Sequence, residues 1–212
     1  MELLFEFDPV RSRSELLSRL HVLSGLVDWI DVPDSPVGRP RQSSPVVSCL
    51  LKSLNGVGVI AHLRTIDYSR VALWSTVRSL ALCGVERVVF VRGDVAPGST
   101  VVRDVEPEDA VMAVKRLGVS ISPGLTLSLR KEPKEISRRV SVGADFYLVL
   151  NLNNETITKL SEVSRIAKAS NAKVYPYLVV ATRSNYDTLV RILGEGKLVT
   201  VEKALEVVAS CR

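Results

Sequence analysis

The 212-residue chain lacks the long apolar segments of a membrane protein. It contains no run of about 18 apolar residues, so the sequence predicts no membrane-spanning helix. Its first residues, MELLFEFDP, include an acid at the second position and no basic stretch ahead of the apolar run, so no secretory signal peptide is predicted. We therefore expect a cytoplasmic protein that does not act in a membrane.

Cysteine and histidine are also scarce, with three and two residues respectively. Cys49, Cys83 and Cys211 are odd in number and widely spaced, which favours reduced thiols over a disulfide framework. Because only His21 and His62 could join them as ligands, we predict no bound metal.

Aromatic residues make up only 5% of the chain, and none are interleaved with a basic stripe. The net charge of +5 is spread over segments in which acids alternate with the basic residues. This pattern disfavours nucleic-acid binding. A small ligand with phosphate groups could instead be bound by these basic residues.

What the sequence does contain is a series of short, apolar, β-branched runs at near-regular intervals. Segments with helical spacing separate them, with predicted N-caps at Ser14 and Asn154 and predicted ends at Gly25, Gly84 and Gly118. The predicted strands are LLFEF (3–7), LVDWIDV (26–32), VGVIAHL (57–63), VERVVFV (85–91), GVSIS (118–122), ADFYLVLNL (144–152), AKVYPYLVV (172–180) and a fainter KLVTVE (197–202).

Strands that alternate with helices and are apolar on both faces indicate a parallel sheet. Eight such units without a linker favour a single (β/α)8 TIM-barrel domain over residues 1–212. An open doubly wound sheet is the alternative, weakened by the absence of a G-x-G-x-x-G or P-loop motif. The units are short, so the barrel is either complete but lean or incomplete at its C-terminal end.

Ionisable residues follow several predicted strands, where the active sites of such barrels lie. Glu6 lies near the end of the first strand and His62 near the end of the third, and Arg92, Gly93 and Asp94 follow the fourth. Each has a structural alternative: Glu6 could face outward, His62 could be a satisfied core residue, and Arg92 with Asp94 could form a surface ion pair worth less than about 1 kcal/mol.

Three of these segments together resemble the methylenetetrahydrofolate reductase family. LLFEFDP matches the family run F-E-F-x-P, AHLRTID lies where the family has H-L-T-C, and GVERVVFVRGDVAPG resembles G-[I/V]-x-x-[I/V]-x-x-L-R-G-D-x-P. The resemblance is strong over residues 1–100, weaker across SRRVSVGADFYLVLNLNN and poor after about residue 155.

The resemblance implies a flavin-binding (β/α)8 barrel that uses FAD and a nicotinamide to reduce a methylene group on a pterin carrier to a methyl group. Glu6 matches the family's catalytic acid, for which we expect a buried setting on its apolar strand. Asp94 matches a catalytic aspartate between flavin and pterin, so both residues would also bind the substrate.

The resemblance further implies that His62, Arg92, Gly93 and Asp94 contact the flavin, with Gly93 letting the backbone approach the cofactor. Arg139 would touch the cofactor's diphosphate, and Asn151 stands, with a slip of one residue, where the family has a pterin-binding glutamine.

The chain also departs from the family pattern. Pro33 and Asp34 replace a threonine–tyrosine pair, and the C-terminal segment that closes over the substrate is shortened.

The sequence therefore predicts a flavin-dependent reductase of methylenetetrahydrofolate or a related pterin, with NAD(P)H or another electron donor. One alternative is a flavin- or pterin-binding subunit of a methyl-transfer complex that has no reductase activity. The other is a non-catalytic barrel that binds phosphorylated ligands or RNA. A partner subunit would supply the missing lid, and a homo-oligomer is the other expected assembly.

Overall fold

The computed structural model describes residues 2–7, 10–54, 56–152, 156–183, 185–193 and 198–202. Strands and helices alternate through these ranges. No helix in them is both long and apolar enough to cross a bilayer. The elements are β1 (Leu4–Glu6), α1 (Arg13–Leu23), β2 (Trp29–Val32), α2 (Ser44–Leu54), β3 (Gly58–Arg64), α3 (Arg70–Leu82), β4 (Arg87–Val91), α4 (Pro107–Leu117), β5 (Ser122–Ser128), α5 (Pro133–Val140), β6 (Phe146–Leu150), α6 (Ile157–Ala169), β7 (Lys173–Pro176), β8 (Val180–Ala181), α7 (Tyr186–Leu193) and β9 (Val199–Thr200).

The chain divides into two compact units. The N-terminal unit comprises Glu2–Thr126 and Val142–Tyr147, and the C-terminal unit comprises Leu127–Ser141 and Leu148–Arg212. A single domain over residues 1–212 stays a prediction.

The first seven strands are hydrogen-bonded in the order of the sequence, β1-β2-β3-β4-β5-β6-β7. The pairs from β1 to β5 are parallel. An open doubly wound sheet reverses its strand order at a switch point, whereas this order is sequential, as in a (β/α) barrel. The predicted barrel class is therefore confirmed. Right-handed crossovers place all connecting helices on one face of such a sheet; we call the opposite face the inner face.

The apolar core of the N-terminal unit lies between the sheet and its helices. Alternate strand residues point to this side, and helices α3 and α4 cover them with apolar side chains such as Leu73 and Val111. The fully buried strand residues that follow this alternation are Ile30, Val59, Ala61, Leu63, Val88 and Phe90. The residues between them, several of which are polar, therefore point to the inner face.

The last two strands form a separate parallel sheet in the C-terminal unit. Val180 pairs with Val199 and Ala181 with Thr200. The predicted eighth strand at 197–202 thus exists as β9, but within the described residues it pairs with β8 and not with the seven-stranded sheet.

Several predicted boundaries are wrong. The predicted strand AKVYPYLVV (172–180) is divided, because β7 ends at Pro176 and β8 begins at Val180. The fifth strand is Ser122–Ser128 and not 118–122, because α4 continues to Leu117 and Gly118 caps it with a φ of 63°. Helix α1 is capped by Ser12, whose hydroxyl accepts a hydrogen bond from the Glu15 backbone, and not by Ser14. The predicted cap at Asn154 lies outside the described residues.

The expectation of reduced thiols is also wrong for two of the three cysteines. Cys49 on α2 and Cys83 after α3 form a disulfide with a Cα–Cα distance of 5.3 Å. They are separated by 34 residues in sequence, but successive helices of a β/α repeat pack side by side and bring them together. Linear spacing does not reveal this proximity. Cys211 lies outside the described residues.

Candidate functional site

The carboxyl ends of β1, β2 and β3 bring three ionisable side chains onto the inner face. Glu6 pairs in register with Asp31, and Asp31 pairs with Ile60, two residues before His62 on the same strand. Since residues in register, or two apart on one strand, point to the same face, Glu6, Asp31 and His62 form one cluster. The structure therefore brings together the two predicted residues of this region and adds a third.

The amino-terminal part of the same face is filled. The Arg87 guanidinium lies 3.5 Å from the ring centroid of Trp29 and 5.4 Å from that of Phe146. The two rings occupy the space that a Cβ would take on Gly58 and Gly124. These packed side chains occupy the amino-terminal part of the inner face, whereas the polar cluster lies at its carboxyl end.

Asp31 and His62 form a buried pair at the centre of the cluster. Nε2 of His62 lies 2.8 Å from Oδ1 of Asp31, and the two residues are 8% and 1% exposed. Sequence reasoning identified His62 but missed Asp31. The available signal was a carboxylate in the otherwise apolar strand WIDV, at a position that alternates with buried apolar residues.

A buried serine of α2 holds the backbone around this pair. The Ser44 hydroxyl donates to the Val32 carbonyl oxygen at 2.7 Å and accepts from the His62 backbone N–H at 3.0 Å. It thus connects the ends of β2 and β3, so Asp31 and His62 are held by backbone contacts as well as by their own hydrogen bond.

The surrounding charges favour a protonated His62. Burial lowers its pKa, but the charge of Asp31, the hydrogen bond that the ring donates to Asp31 and the charges of Glu6 and Asp34 outweigh burial and raise the pKa above its ordinary value. Burial also raises the pKa of Asp34, against the lowering effects of the Arg64 backbone N–H and the Arg64 charge.

Glu6 does not have the buried setting that the sequence predicted. It ends the three-residue strand β1 and is exposed. At the carboxyl end of a short strand, its side chain is open to solvent although its neighbours in register are buried. Desolvation therefore gives no support to its role as an acid in the structure as it stands.

Arg64 is a second residue that the sequence analysis missed. Although it is only 3% exposed, its guanidinium reaches the loops after three strands. Nη1 donates to the Ser35 carbonyl oxygen at 2.7 Å and Nη2 to the Asp94 carbonyl oxygen at 2.6 Å. Nε lies 2.9 Å from Oδ2 of Asp67, at an ion-pair distance but without hydrogen-bond geometry. One buried cation thus joins the loops after β2, β3 and β4.

This arrangement changes the explanation for Gly93. The residue has a φ of 90°, and a Cβ on it would lie 2.7 Å from Nε of Arg64. Glycine is therefore required because the Arg64 side chain lies against it, whereas we expected a close approach to a cofactor. Gly93 as a cofactor contact stays a prediction.

Arg92 and Asp94 have exposed side chains in the loop after β4. Among the ion pairs of the described residues, none joins these two side chains. The ion-pair alternative is therefore not supported, and both charges are accessible to a ligand.

The other two predicted residues lie in the C-terminal unit. Arg139 is half-buried in the last turn of α5. Asn151 follows β6 with a φ of 63°, and its Nδ2 donates to the Ser128 hydroxyl at 2.9 Å. Their roles toward a cofactor or a pterin stay predictions.

Comparison with known proteins supports the resemblance seen in the motifs. The model of the family described as methylenetetrahydrofolate reductase matches residues 3–149, which include β1 to β5 and most of β6. No curated protein sequence matches the chain.

Two solved structures illustrate the similarity in fold. The tryptophan synthase complex from Pyrococcus furiosus is 11% identical with a TM-score of 0.62, covering 94% of this chain and 86% of that chain. An uncharacterized protein from Clostridium thermocellum that binds two copies of 5-methyl-5,6,7,8-tetrahydrofolic acid is 13% identical with a TM-score of 0.62, covering 99% and 75%. At such identities the likeness concerns the fold alone.

Proposed function

Because the chain belongs to the methylenetetrahydrofolate reductase family, we propose that it reduces the methylene group of a pterin one-carbon carrier to a methyl group with a bound flavin. One observation carries this proposal. The first two family motifs place Glu6 and His62 on the same inner face, and Arg64 connects the third, R-G-D, to the end of β3.

The residues of the N-terminal unit fit a flavin in two respects. Nδ1 of His62 has no hydrogen-bond partner among the described residues and is available to a ring acceptor. Arg92 is exposed at the carboxyl end of β4, where it can bind a phosphate. FAD would supply the hydride chemistry. Arg139, in the C-terminal unit, is the proposed diphosphate contact.

Glu6 is the proposed proton donor to the carrier nitrogen, and Asp94 the counter-charge to the cationic form of the substrate. A ring bound over the strand ends would exclude water from Glu6 and provide the desolvation that the exposed residue lacks. The methyltetrahydrofolate bound by the Clostridium thermocellum protein supports a pterin substrate. Asn151 is the proposed pterin contact in the C-terminal unit, and a nicotinamide the proposed electron donor.

A second candidate is a pterin-binding domain without reductase activity, acting in a methyl-transfer complex. Arg64 favours it, because its side chain fills the space beside Gly93 that we expected a cofactor to approach.

The two candidates differ in colour and in the effect of one variant. A reductase should show flavin absorption bands near 380 and 450 nm, roughly as for any oxidised isoalloxazine ring. Glu6→Gln should leave flavin reduction by NAD(P)H nearly intact and slow methylene reduction by about 10²-fold, since only the second step uses the acid. Stopped-flow absorbance measures the two steps separately.

Glu15→Gln, at a half-buried carboxylate in the first turn of α1, is the matched control and should change neither step. Equal loss of both steps in Glu6→Gln would make Glu6 structural. Protein that binds methyltetrahydrofolate but cannot be reconstituted with any flavin would replace the reductase with the second candidate.

A further inference from the structure

The pairing of a buried carboxylate with His62 is not explained by the family motifs. Asp31 lies on β2 and His62 on β3, and the residue in register with Asp31 is Ile60. The carboxylate therefore reaches diagonally along the inner face to Nε2, and the Ser44 hydroxyl holds the backbone on both sides. A salt bridge this deep stabilises a fold little by itself, because desolvation opposes the Coulomb attraction.

The geometry leaves the two ring nitrogens in different surroundings. Nε2 is bound to Asp31, whereas Nδ1 has no partner among the described residues. A histidine with one nitrogen fixed by a carboxylate has its ring orientation and protonation set by that partner. The free nitrogen then becomes a donor with a defined direction.

We propose that Asp31 is a positioning residue that holds His62 as an imidazolium, so that Nδ1–H donates to a ring carbonyl or deprotonated lactam of the bound ligand. The inference rests on the proposed function for its ligand, since pterin and isoalloxazine rings both carry such an acceptor. A charged donor binds this acceptor more strongly than a neutral one.

The other charges around the ring are consistent with this role. Glu6 faces it from β1 and Asp34 from the loop after β2, and both favour the charged ring. Arg64, two residues further along β3, directs its guanidinium to Ser35, Asp67 and Asp94. On β4, the residue in register with His62 is the apolar Val89. Asp31 is the one carboxylate with a hydrogen bond to the ring among the described residues.

Nitrogen-15 NMR of the ligand-free protein tests the positioning directly. The chain has only two histidines, so the exposed His21 on α1 serves as an internal reference. In the wild type, both ring nitrogens of His62 should remain protonated above the pH at which a free imidazole titrates, because its pKa is raised. In Asp31→Asn the pKa of His62 should fall, because burial remains while the counter-charge is removed.

Asp28→Asn is the matched control, since this exposed carboxylate precedes β2 and binds the Leu3 backbone N–H. It should leave the His62 signals unchanged. An unchanged His62 titration in Asp31→Asn would overturn the proposal.

Stability provides a second readout with a defined sign. The raised pKa of His62 stabilises the folded state fully below the unfolded pKa of about 6.5, and this contribution is lost as the pH rises through the folded pKa. The free energy of unfolding of the wild type should therefore decline across that interval, more steeply than in Asp31→Asn.

Binding measurements identify the ligand. Asp31→Asn should weaken binding of FAD, of 5-methyltetrahydrofolate or of both by about tenfold or more, as expected for losing a charged hydrogen bond. A loss confined to one ligand identifies the ring that His62 contacts. Unchanged affinity for both would show that Nδ1 is not the donor and overturn the proposal.

Two further outcomes separate the possible failures. If Asp31→Asn does not fold, nitrogen-15 NMR of the wild-type protein titrated with each ligand still tests the proposal. The Nδ1 signal of His62 must then shift more than its Nε2 signal, because Nδ1 is the proposed donor to the ligand. If the wild type binds neither ligand, the proposed function fails together with the ligand assignment. The NMR titration then still confirms or overturns the positioning by Asp31.

Discussion

A single buried guanidinium joins three loops at the carboxyl ends of the strands. Arg64 is almost fully buried, and such a charge is tolerated only when hydrogen bonds and a counter-charge replace its hydration. The carbonyl groups of Ser35 and Asp94 and the carboxylate of Asp67 provide this replacement. The backbone of Asp94 is therefore held in place while its side chain stays exposed.

This fixed backbone makes the charge of Asp94 a testable contributor to flavin chemistry. If its carboxylate lies about 5 Å from the ring, the Coulomb interaction is roughly 3 kcal/mol at an effective dielectric near 20, and solvent at an exposed residue reduces it to about 1. Asp94→Asn should then raise the two-electron midpoint potential by about 20 mV, because a negative charge opposing the reduced flavin is removed. A spectroscopic redox titration measures this shift.

The same variant should slow reduction of the pterin, whose cationic form loses its counter-charge. Asp109→Asn, exposed in the first turn of α4, is the control and should leave the potential unchanged. A midpoint potential that stays constant or falls in Asp94→Asn would remove the residue from the flavin site.

At the scale of the structural elements, the loop after β4 offers a comparison between two glycines. Gly93 and Gly98 have φ values of 90° and 76°, so alanine is strained at both positions. A Cβ would meet Arg64 at Gly93 but nothing within 4 Å at Gly98. Gly98→Ala should lower the free energy of unfolding by about 1 kcal/mol, and Gly93→Ala by at least about 1 kcal/mol more.

Urea denaturation measures both values, and the double variant Gly93→Ala/Arg64→Ala identifies the cause. If the Arg64 side chain produces the additional cost, removing it should abolish the difference, and the double-mutant cycle should show coupling. Equal costs at the two glycines would mean that the loop after β4 moves away from Arg64 without penalty.

The alternation of strands and helices was predictable from the sequence because apolar runs and helical spacing are local patterns. The fifth strand was misplaced because Val119 and Ile121 resemble a strand, whereas the left-handed cap at Gly118 delays its start to Ser122. A local pattern shows that an element exists more reliably than where it begins.

The candidate site was predictable only where motifs carried it. Glu6, His62 and R-G-D could be found because they match a family pattern, whereas Asp31 and Arg64 act through contacts with residues distant in sequence. The exposure of Glu6 could not be predicted, because it depends on how far β1 extends. To predict which side chains of neighbouring strands lie close together, the register of the strands must be known, and the sequence alone does not give it.

At the scale of the whole molecule, the candidate site residues are distributed unevenly between the two compact units. The family match ends at residue 149, and Glu6, Asp31, His62 and the R-G-D loop all belong to the N-terminal unit. The separate β8–β9 sheet belongs to the C-terminal unit. The residues from which the proposed function is argued therefore lie within one compact unit.

The disulfide between Cys49 and Cys83 acts on the stability of this whole framework. It closes a loop over a sequence separation of 34 residues, and that loop contains β3 with His62 and Arg64. Constraining such a loop in the unfolded chain stabilises the folded state by about 4 kcal/mol. Cys83→Ser should therefore lower the free energy of unfolding by about that amount, measured by urea denaturation without reductant. Reductant should lower the free energy of unfolding of the wild type by a similar amount and leave that of Cys83→Ser unchanged. If thiol labelling found three reactive cysteines in the wild type before reduction, the disulfide would be contradicted.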